Sequence, residues 1–219
     1  MTKSKYAGIL TAILVIAIIS ILAIVTVLIV NAYSNYKKNR EASMAISEFD
    51  NSLNDEVVTK DNDEELIEHN VVEGSNASSK NGRKVKYYHN FVMIGYIEIP
   101  KIKIKYPILE EESVASLEQS VAVRYPEHAK LNQIGNVVIV GHNYRNGLFF
   151  SNLKKVENGD IVKITDENGK KLTYTVYEKY ETTAEDFEYS IRDVGDNIEV
   201  TLVTCTDDSK TRIIVKAKV

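Results

Sequence analysis

Three side chains in this sequence have types and positions suited to acyl-transfer chemistry: Cys205, His142 and Arg212. Cys205 is the only cysteine and ends an alternating apolar run, His142 follows a second apolar run, and Arg212 opens a third. A thiolate is a strong nucleophile, histidine can donate a proton to a leaving amine, and a guanidinium can stabilise a developing oxyanion. Together the three residues are consistent with a cysteine-dependent acyl transfer.

Each of these residues also has a purely structural interpretation. A single cysteine at a strand end is commonly a small buried hydrophobic residue, and Gly-His after a strand is commonly a turn. The other histidines, at positions 69, 89 and 128, lie in polar surroundings. We expect no metal site, because the sequence has no His-x3-His or Cys-x2-Cys spacing. Residue types alone therefore leave the chemical and structural interpretations open.

The strands that must position these residues are predicted between positions 83 and 219. Residues 137–140 form a continuous apolar run typical of a buried strand, and Asn168-Gly169 is a hairpin signal. Short helices are predicted at 113–119 and 149–155. About seven or eight short strands with little helix predict an all-β fold, a closed or nearly closed barrel. The other predicted strands are 94–99, 102–106, 160–165, 172–180, 199–204 and 213–218.

The N-terminal part of the chain predicts a membrane anchor. Residues 9–30 carry no charge, and 16 of these 22 residues are Ile, Leu or Val. As a helix they would extend about 33 Å, enough for a hydrocarbon core of about 30 Å. A cleaved signal peptide is the alternative, but its apolar region runs about 7–15 residues. Basic residues flank both ends almost equally, so charge alone does not decide the orientation.

We therefore divide the chain into an anchor (1–36), an acidic spacer (37–82) and a folded domain (83–219). The second half of the spacer is polar and turn-rich, as expected of a solvated linker. A net charge of −4 predicts no nucleic-acid partner. Apolar residues four positions apart predict a short amphipathic helix at the start of the spacer: Ala45, Phe49, Leu53 and Val57.

Four motifs resemble those of the sortases, bacterial cysteine transpeptidases that attach proteins to the cell wall. Residues 201–205, Thr-Leu-Val-Thr-Cys, match the TLxTC signature of that family. Residues 135–142 resemble its segment of Gly-Asn, an apolar strand and Gly-His, and residues 210–215 resemble its arginine-bearing strand. Residues 97–102 resemble the IxIPKI element of its first strand. The motifs occur in the family's order and cover most of 94–219.

The resemblance implies a closed eight-stranded sortase-type β-barrel outside a Gram-positive cell, on a single-pass membrane anchor with its N-terminus inside. Cys205 would attack a C-terminal LPxTG-like sorting signal of a surface protein and form a thioester acyl-enzyme. His142 would act as general acid and then as general base, and Arg212 would bind the substrate carbonyl or oxyanion. The acceptor would be an amine on a cell-wall precursor such as lipid II, and no cofactor is implied.

The sequence also bears on the sortase subclass, and it leaves two alternative functions open. Seven positions separate Cys205 from Arg212, which resembles class D sortases more than class A. Some sortases are activated by calcium, but we interpret residues 110–112, Glu-Glu-Glu, as a solvated acidic loop. One alternative is an L,D-transpeptidase-like peptidoglycan acyltransferase, although that family prefers a Ser-x-Gly-Cys context. The other is a membrane-tethered β-barrel binding module with a structural cysteine.

Overall fold

The computed structural model of the chain describes residues 3–60, 85–125, 127 and 129–219, with the side chains of the N-terminal helix described from residue 6 to residue 53. The chain divides into two compact units, Met1–Arg40 and Glu41–Val219. His69, His128 and the polar second half of the predicted spacer lie outside the described residues.

The first unit consists of the N-terminal part of helix α1, which runs over Lys3–Lys60. The large apolar side chains between Ile9 and Val30 are exposed, and α1 is the one helix in the described part of the chain that is long and apolar enough to cross a membrane. The three hydroxyl side chains within residues 9–30 donate to carbonyls four residues earlier, so this apolar stretch carries no unpaired hydroxyl: Thr11, Ser20 and Thr26. The prediction of one N-terminal apolar helix is confirmed.

The second unit contains a single sheet of nine strands with short helical turns between them. Helix α2 spans Val114–Leu117, and 3-10 turns lie at Pro100–Ile102 and Leu153–Lys155. The strands are β1 (Lys86–Tyr88), β2 (Phe91–Ile99), β3 (Ile104–Leu109), β4 (Val121–Arg124), β5 (Gly135–Val140), β6 (Ile161–Asp166), β7 (Lys171–Thr183), β8 (Ile198–Cys205) and β9 (Thr211–Lys218).

The sheet closes into a barrel because β2 pairs along both of its edges. Strand β2 pairs with β3 on one edge and, through residues 95–98, with β6 on the other. The eight strands therefore close in the order β2-β3-β4-β5-β8-β9-β7-β6, and β1 pairs with the first part of β2. A Cβ atom at Gly95 would lie 2.2 Å from the carbonyl oxygen of Thr165, so glycine is required where β6 approaches. The predicted closed eight-stranded barrel is confirmed.

Two strands and the helix lengths differ from the sequence prediction. Strands β1 and β4 were not predicted, because runs of three and four residues are too short to show a period. Helix α2 covers only part of the predicted 113–119 helix, and the predicted 149–155 helix is a 3-10 turn at its end. A capping box begins α2: Ser113 Oγ accepts from the Ser116 amide at 3.0 Å, and Ser116 Oγ accepts from the Ser113 amide at 2.7 Å.

Alternation along the strands separates two apolar clusters, one on each face of the sheet. The inner cluster fills the barrel with residues from every barrel strand, among them Ile97, Val123, Ile139 and Leu202. On the other side lies a second cluster, part of which covers β4, β5, β8 and β9. We call that part the outer apolar face: Ala122, Val138, Val140, Val203 and Ile214.

Residues 42–53 of α1 pack against the barrel within the second unit: Ala42 joins the inner cluster, whereas Ile46 and Phe49 join the second one. Ala42, Ile46 and Phe49 are each at most 2 % exposed, whereas Ala45 and Leu53 of the predicted apolar stripe are half-buried. The ring of Phe49 meets Tyr96 edge-on at 6.1 Å, and the Tyr96 hydroxyl donates to Asp50 at 3.0 Å. The domain boundaries at 36/37 and 82/83 remain predictions.

We expect Phe49→Ala to destabilise the second unit by about 3–5 kcal/mol, because a buried aromatic side chain is replaced by a cavity. The matched control on the same helix is Met44→Ala, since Met44 is 53 % exposed; it should change the free energy of unfolding by about 0.5 kcal/mol or less. Chemical unfolding of the full chain in detergent micelles, followed by tyrosine near-UV circular dichroism, measures both. Equal unfolding midpoints for the two variants would contradict the packing.

Candidate active site

Strand register brings the three predicted site residues to one end of three neighbouring strands. Strand β5 runs parallel to β8, with Val140 opposite Val203. His142 and Cys205 each follow two residues after this last pair. Strand β9 runs antiparallel to β8, with Arg212 directly opposite Cys205. His142 therefore lies just after the end of β5, Cys205 lies at the end of β8, and Arg212 lies at the start of β9.

A glycine and a threonine fix the chain immediately before His142. A Cβ atom at Gly141 would lie 2.7 Å from the ring of Phe150, so only glycine lets the chain pass that buried ring. The Gly141 amide donates to the Val203 carbonyl at 3.1 Å, and the Thr204 hydroxyl donates to the Gly141 carbonyl at 2.7 Å. Both main-chain polar groups of Gly141, the residue before His142, are therefore hydrogen-bonded to β8. One of the two partners is Thr204, the residue before Cys205.

A short turn joins Cys205 to Arg212. The Thr206 amide donates to the Thr211 carbonyl at 3.1 Å, so the hairpin remains paired up to residue 206. Cys205 is half-buried. Arg212 Nη1 donates to the carbonyls of Thr211 at 3.1 Å and Ser209 at 3.4 Å. The turn thus holds the guanidinium at the same end of the hairpin as the thiol.

Sequence reasoning missed a polar chain beside Cys205. Asn143 Nδ2 donates to the Cys205 carbonyl at 2.9 Å and to Asp207 Oδ1 at 3.0 Å, and Asp207 also forms an ion pair with Lys154. The hydrogen bond from Lys154, and then that from Asn143, lower the pKa of the Asp207 carboxyl below its usual value. The only signal in the sequence was the position of Asn143 next to His142.

The outer apolar face leads to Cys205 and Arg212, because Val203 and Ile214 lie two residues from them on the same side of the sheet. Leu117 of α2 packs against this face, and so does Tyr189 of the β7–β8 loop (residues 184–197). Tyr189 is 1 % exposed. The face beside the candidate site is thus apolar and is bordered by one short helix and one long loop.

Arg124 connects the two borders of that face. Its guanidinium donates to Glu112 at 2.5 and 2.7 Å and to the Tyr189 hydroxyl at 2.8 Å. The hydrogen bonds to Glu112 raise the pKa of Arg124 further above its ordinary value. Burial raises the pKa of Tyr189, and the charge of Arg124 and, more weakly, that of Arg212 oppose this rise.

The acidic triplet at 110–112 is therefore only partly the solvated loop that we predicted, because Glu112 is half-buried and paired with Arg124 whereas its two neighbours are exposed. Within the residues that the structure describes, no three His, Cys, Asp or Glu side chains are grouped so that they could hold a metal ion.

Further hydrogen bonds tie the β7–β8 loop to the strands beneath it. Asn136 Nδ2 donates to the carbonyls of Tyr189 at 3.2 Å and Ser190 at 3.3 Å, and Asn136 Oδ1 accepts from the Thr201 hydroxyl at 2.7 Å. At the end of the loop, Arg192 forms an ion pair with Glu199 at 2.8 Å. The loop is thus bound to β4, β5 and β8 rather than projecting into solvent.

The comparison with protein families matches the Sortase domain to residues 97–219, which is more than half of the chain. The chain belongs to the sortase family, whose members are cysteine transpeptidases. This confirms, at the level of the family, the enzyme class that the four motifs predicted. No curated protein sequence matches the chain.

Solved structures of several sortases resemble the chain. Sortase A from Corynebacterium diphtheriae is 30 % identical with a TM-score of 0.54; the match covers 59 % of this chain and 61 % of that one. A Clostridium perfringens sortase D5 transpeptidase is 28 % identical with a TM-score of 0.59, and the match covers 82 % and 98 %. Sortase C1 from Streptococcus agalactiae is 26 % identical with a TM-score of 0.52, covering 57 % and 68 %.

We expect Arg124→Met to loosen the β7–β8 loop, because the substitution removes three charge-assisted hydrogen bonds and leaves Glu112 and the Tyr189 hydroxyl without this partner. At about 1.5–3 kcal/mol for a hydrogen bond to a charged group, amide exchange over residues 184–197 should rise by about tenfold or more. Hydrogen exchange read by mass spectrometry measures the change. The matched control is Glu110→Gln, on an exposed carboxylate; unchanged exchange in Arg124→Met would refute the connection.

Proposed function

We propose that the protein is a membrane-anchored cysteine transpeptidase that cleaves an LPxTG-like sorting signal and transfers the released carboxyl end of a surface protein to a cell-wall amine. Membership of the sortase family supports this proposal. The observation that carries it is the register of β5, β8 and β9, in which the ends of three adjacent strands carry His142, Cys205 and Arg212. A thiol, an imidazole and a guanidinium at one end of a rigid barrel suit acyl transfer.

The proposed reaction has two half-reactions with Cys205 as the nucleophile. The thiolate attacks the carbonyl carbon of the threonine in the sorting signal, and Arg212 stabilises the negative charge that develops on the oxygen. The carbon–nitrogen bond then breaks, and His142 donates a proton to the departing glycine amine. In the second half-reaction the acceptor amine attacks the thioester, His142 takes a proton from it, and the thiolate leaves. One amide bond is exchanged for another, with no net oxidation.

The surroundings of the three residues favour an extended peptide as the substrate. The five residues of the outer apolar face are at most 8 % exposed, so the face itself is covered, but the β7–β8 loop bound over these strands exposes two large apolar side chains, Phe187 at 50 % and Ile191 at 71 %. We assign recognition of the sorting signal to this loop. A class D-like subclass is supported by the short connection between Cys205 and Arg212 and by the extent of the match to the Clostridium perfringens sortase D5.

Residues 9–30 serve as the single-pass anchor in this proposal, with the barrel outside the cell, where the cell-wall acceptor is found. A precursor such as lipid II is the proposed source of the amine. The apolar, exposed surface of α1 supports the anchoring role.

We expect the full chain in detergent micelles to form a peptide-sized adduct when it is incubated with a panel of LPxTG-like peptides, and to release an amine-exchanged product when triglycine is added. The Cys205→Ala variant should form neither, because it has no nucleophile. His142→Ala should lower kcat/KM by about 10²–10⁴-fold through loss of proton transfer. Arg212→Met should lower it by about 10²–10³-fold through loss of oxyanion stabilisation. Intact-mass spectrometry and product chromatography give these values.

The same experiment separates the alternatives. An adduct with peptidoglycan stem peptides, but with no sorting-signal peptide, would favour an L,D-transpeptidase-like acyltransferase. An unreactive Cys205, together with peptide binding that survives Cys205→Ala, would favour a binding module with a structural cysteine. Either result would reject the proposed function.

The proposed orientation has its own test, because the chain has a single cysteine. In protoplasts of a Gram-positive host that expresses the full chain, a membrane-impermeant maleimide should label Cys205 without lysis. The Cys205→Ala chain, which should stay unlabelled, is the control. Labelling that appears only after lysis would place the barrel on the cytoplasmic side and reject the orientation.

A further inference from the structure

We propose that Asn143 is a positioning residue of this reaction: its side-chain amide fixes the end of β8 and thereby sets the thiol of Cys205 against His142. The inference rests on the proposed function and deepens it, because it concerns the geometry of the nucleophile rather than its identity. It comes from the polar chain beside Cys205, whose members are not among the three predicted catalytic residues.

The first argument is the hydrogen-bond ladder between β5 and β8. In a parallel pair the main-chain bonds are evenly spaced, and every second residue of one strand donates to its neighbour. The amide of Gly141 donates to Val203 at 3.1 Å. The next acceptor on β8 is the carbonyl of Cys205, and the next donor along the chain would be the main-chain amide of Asn143. The described partner of that carbonyl is instead Asn143 Nδ2, at 2.9 Å.

The main chain leaves β8 at this point, and the side chain replaces it. Asn143 forms an isolated antiparallel bridge with Phe149, and the Phe150 amide donates to the His142 carbonyl at 3.1 Å. The segment that carries His142 therefore turns away from β8 one residue before the Cys205 carbonyl would be reached. The amide of Asn143 spans that gap and extends the pairing by one step, to the residue that carries the nucleophile.

The second argument is that the side-chain amide of Asn143 is held by several hydrogen bonds. Nδ2 also donates to Asp207 Oδ1 at 3.0 Å, and Oδ1 accepts from the Arg145 amide at 3.0 Å. Asp207 is itself paired with Lys154. Both N–H donors and the oxygen acceptor of the Asn143 amide are thus hydrogen-bonded, each to a different group. These bonds define both the rotamer of the side chain and the orientation of its amide. A side chain held in this way can in turn hold the carbonyl to which it donates.

The consequence for catalysis follows from the position of Cys205 as the last residue of its strand. Strand β9 fixes Cys205 on one side through its pair with Arg212. Asn143 fixes the other side, the one that faces the His142 segment. Because a misplacement of about 1 Å between reacting groups can reduce a rate by about 10²-fold, loss of this contact should affect the rate of acylation far more than the binding of the peptide.

The test uses the full chain in detergent micelles and two readouts. Asn143→Ala should raise amide exchange over residues 203–207 about tenfold. It should also lower kcat for the sorting-signal peptide by about 10–100-fold, with KM within about threefold of the unsubstituted chain. Asn143→Asp keeps an oxygen for the Arg145 amide but has no donor for Cys205, so we expect a loss of kcat at least as large. The matched control is Asn51→Ala, at an exposed asparagine of α1, which should leave exchange over residues 203–207 unchanged and kcat within about twofold.

Three results would overturn the inference: unchanged exchange over residues 203–207, an unchanged kcat, or a rise in KM and a fall in melting temperature that account for the whole loss. Failure of the proposed function looks different, because the unsubstituted chain would then transfer no peptide of the panel. In that case the exchange readout alone decides whether Asn143 fixes the end of β8.

Discussion

The candidate site depends on one constraint, the double pairing of β8. This strand lies between β5, which runs parallel to it, and β9, which runs antiparallel. Parallel pairing brings the ends of β5 and β8 together, and the antiparallel hairpin brings the start of β9 to the same place. Three residues that are distant in sequence or separated by a turn therefore meet at one end of the barrel, without any contact between their side chains being needed to assemble them.

The strands that carry the candidate site could be predicted from the sequence, because their apolar and alternating patterns are local. The apolar run at 137–140 and the alternating run at 199–204 predicted β5 and β8, and the residues after them predicted the candidate nucleophile and acid. The family motifs supplied the closure into eight strands, which no local pattern contains. The roles of His142, Cys205 and Arg212 remain proposals, since register establishes proximity and not chemistry.

What could not be predicted depends on contacts between distant segments. Nothing in a sequence of three adjacent glutamates indicates that only Glu112 has a cationic partner, because Arg124 reaches it only when β4 has joined the barrel. Tyr189 is buried against a face whose strands come from three parts of the chain. The same holds for α1: its apolar spacing predicted a helix, but the buried residues centre on Ala42, Ile46 and Phe49, because the barrel surface determines which side is covered.

The closure of the barrel through β2 and β6 also has a kinetic consequence. Residues 95–98 must find residues 163–166, and β5 must find β8 across the whole of β6 and β7. Each such pairing costs loop-closure entropy before its contacts can stabilise the chain. Topologies that are rich in these long-range pairings therefore fold slowly compared with helical proteins of similar size. Until β2 meets β6, both edges remain unpaired and open to association with other chains. A barrel of this topology is therefore prone to aggregation during its own folding. This susceptibility ends when the last pair of strands has formed, not when the candidate site has formed.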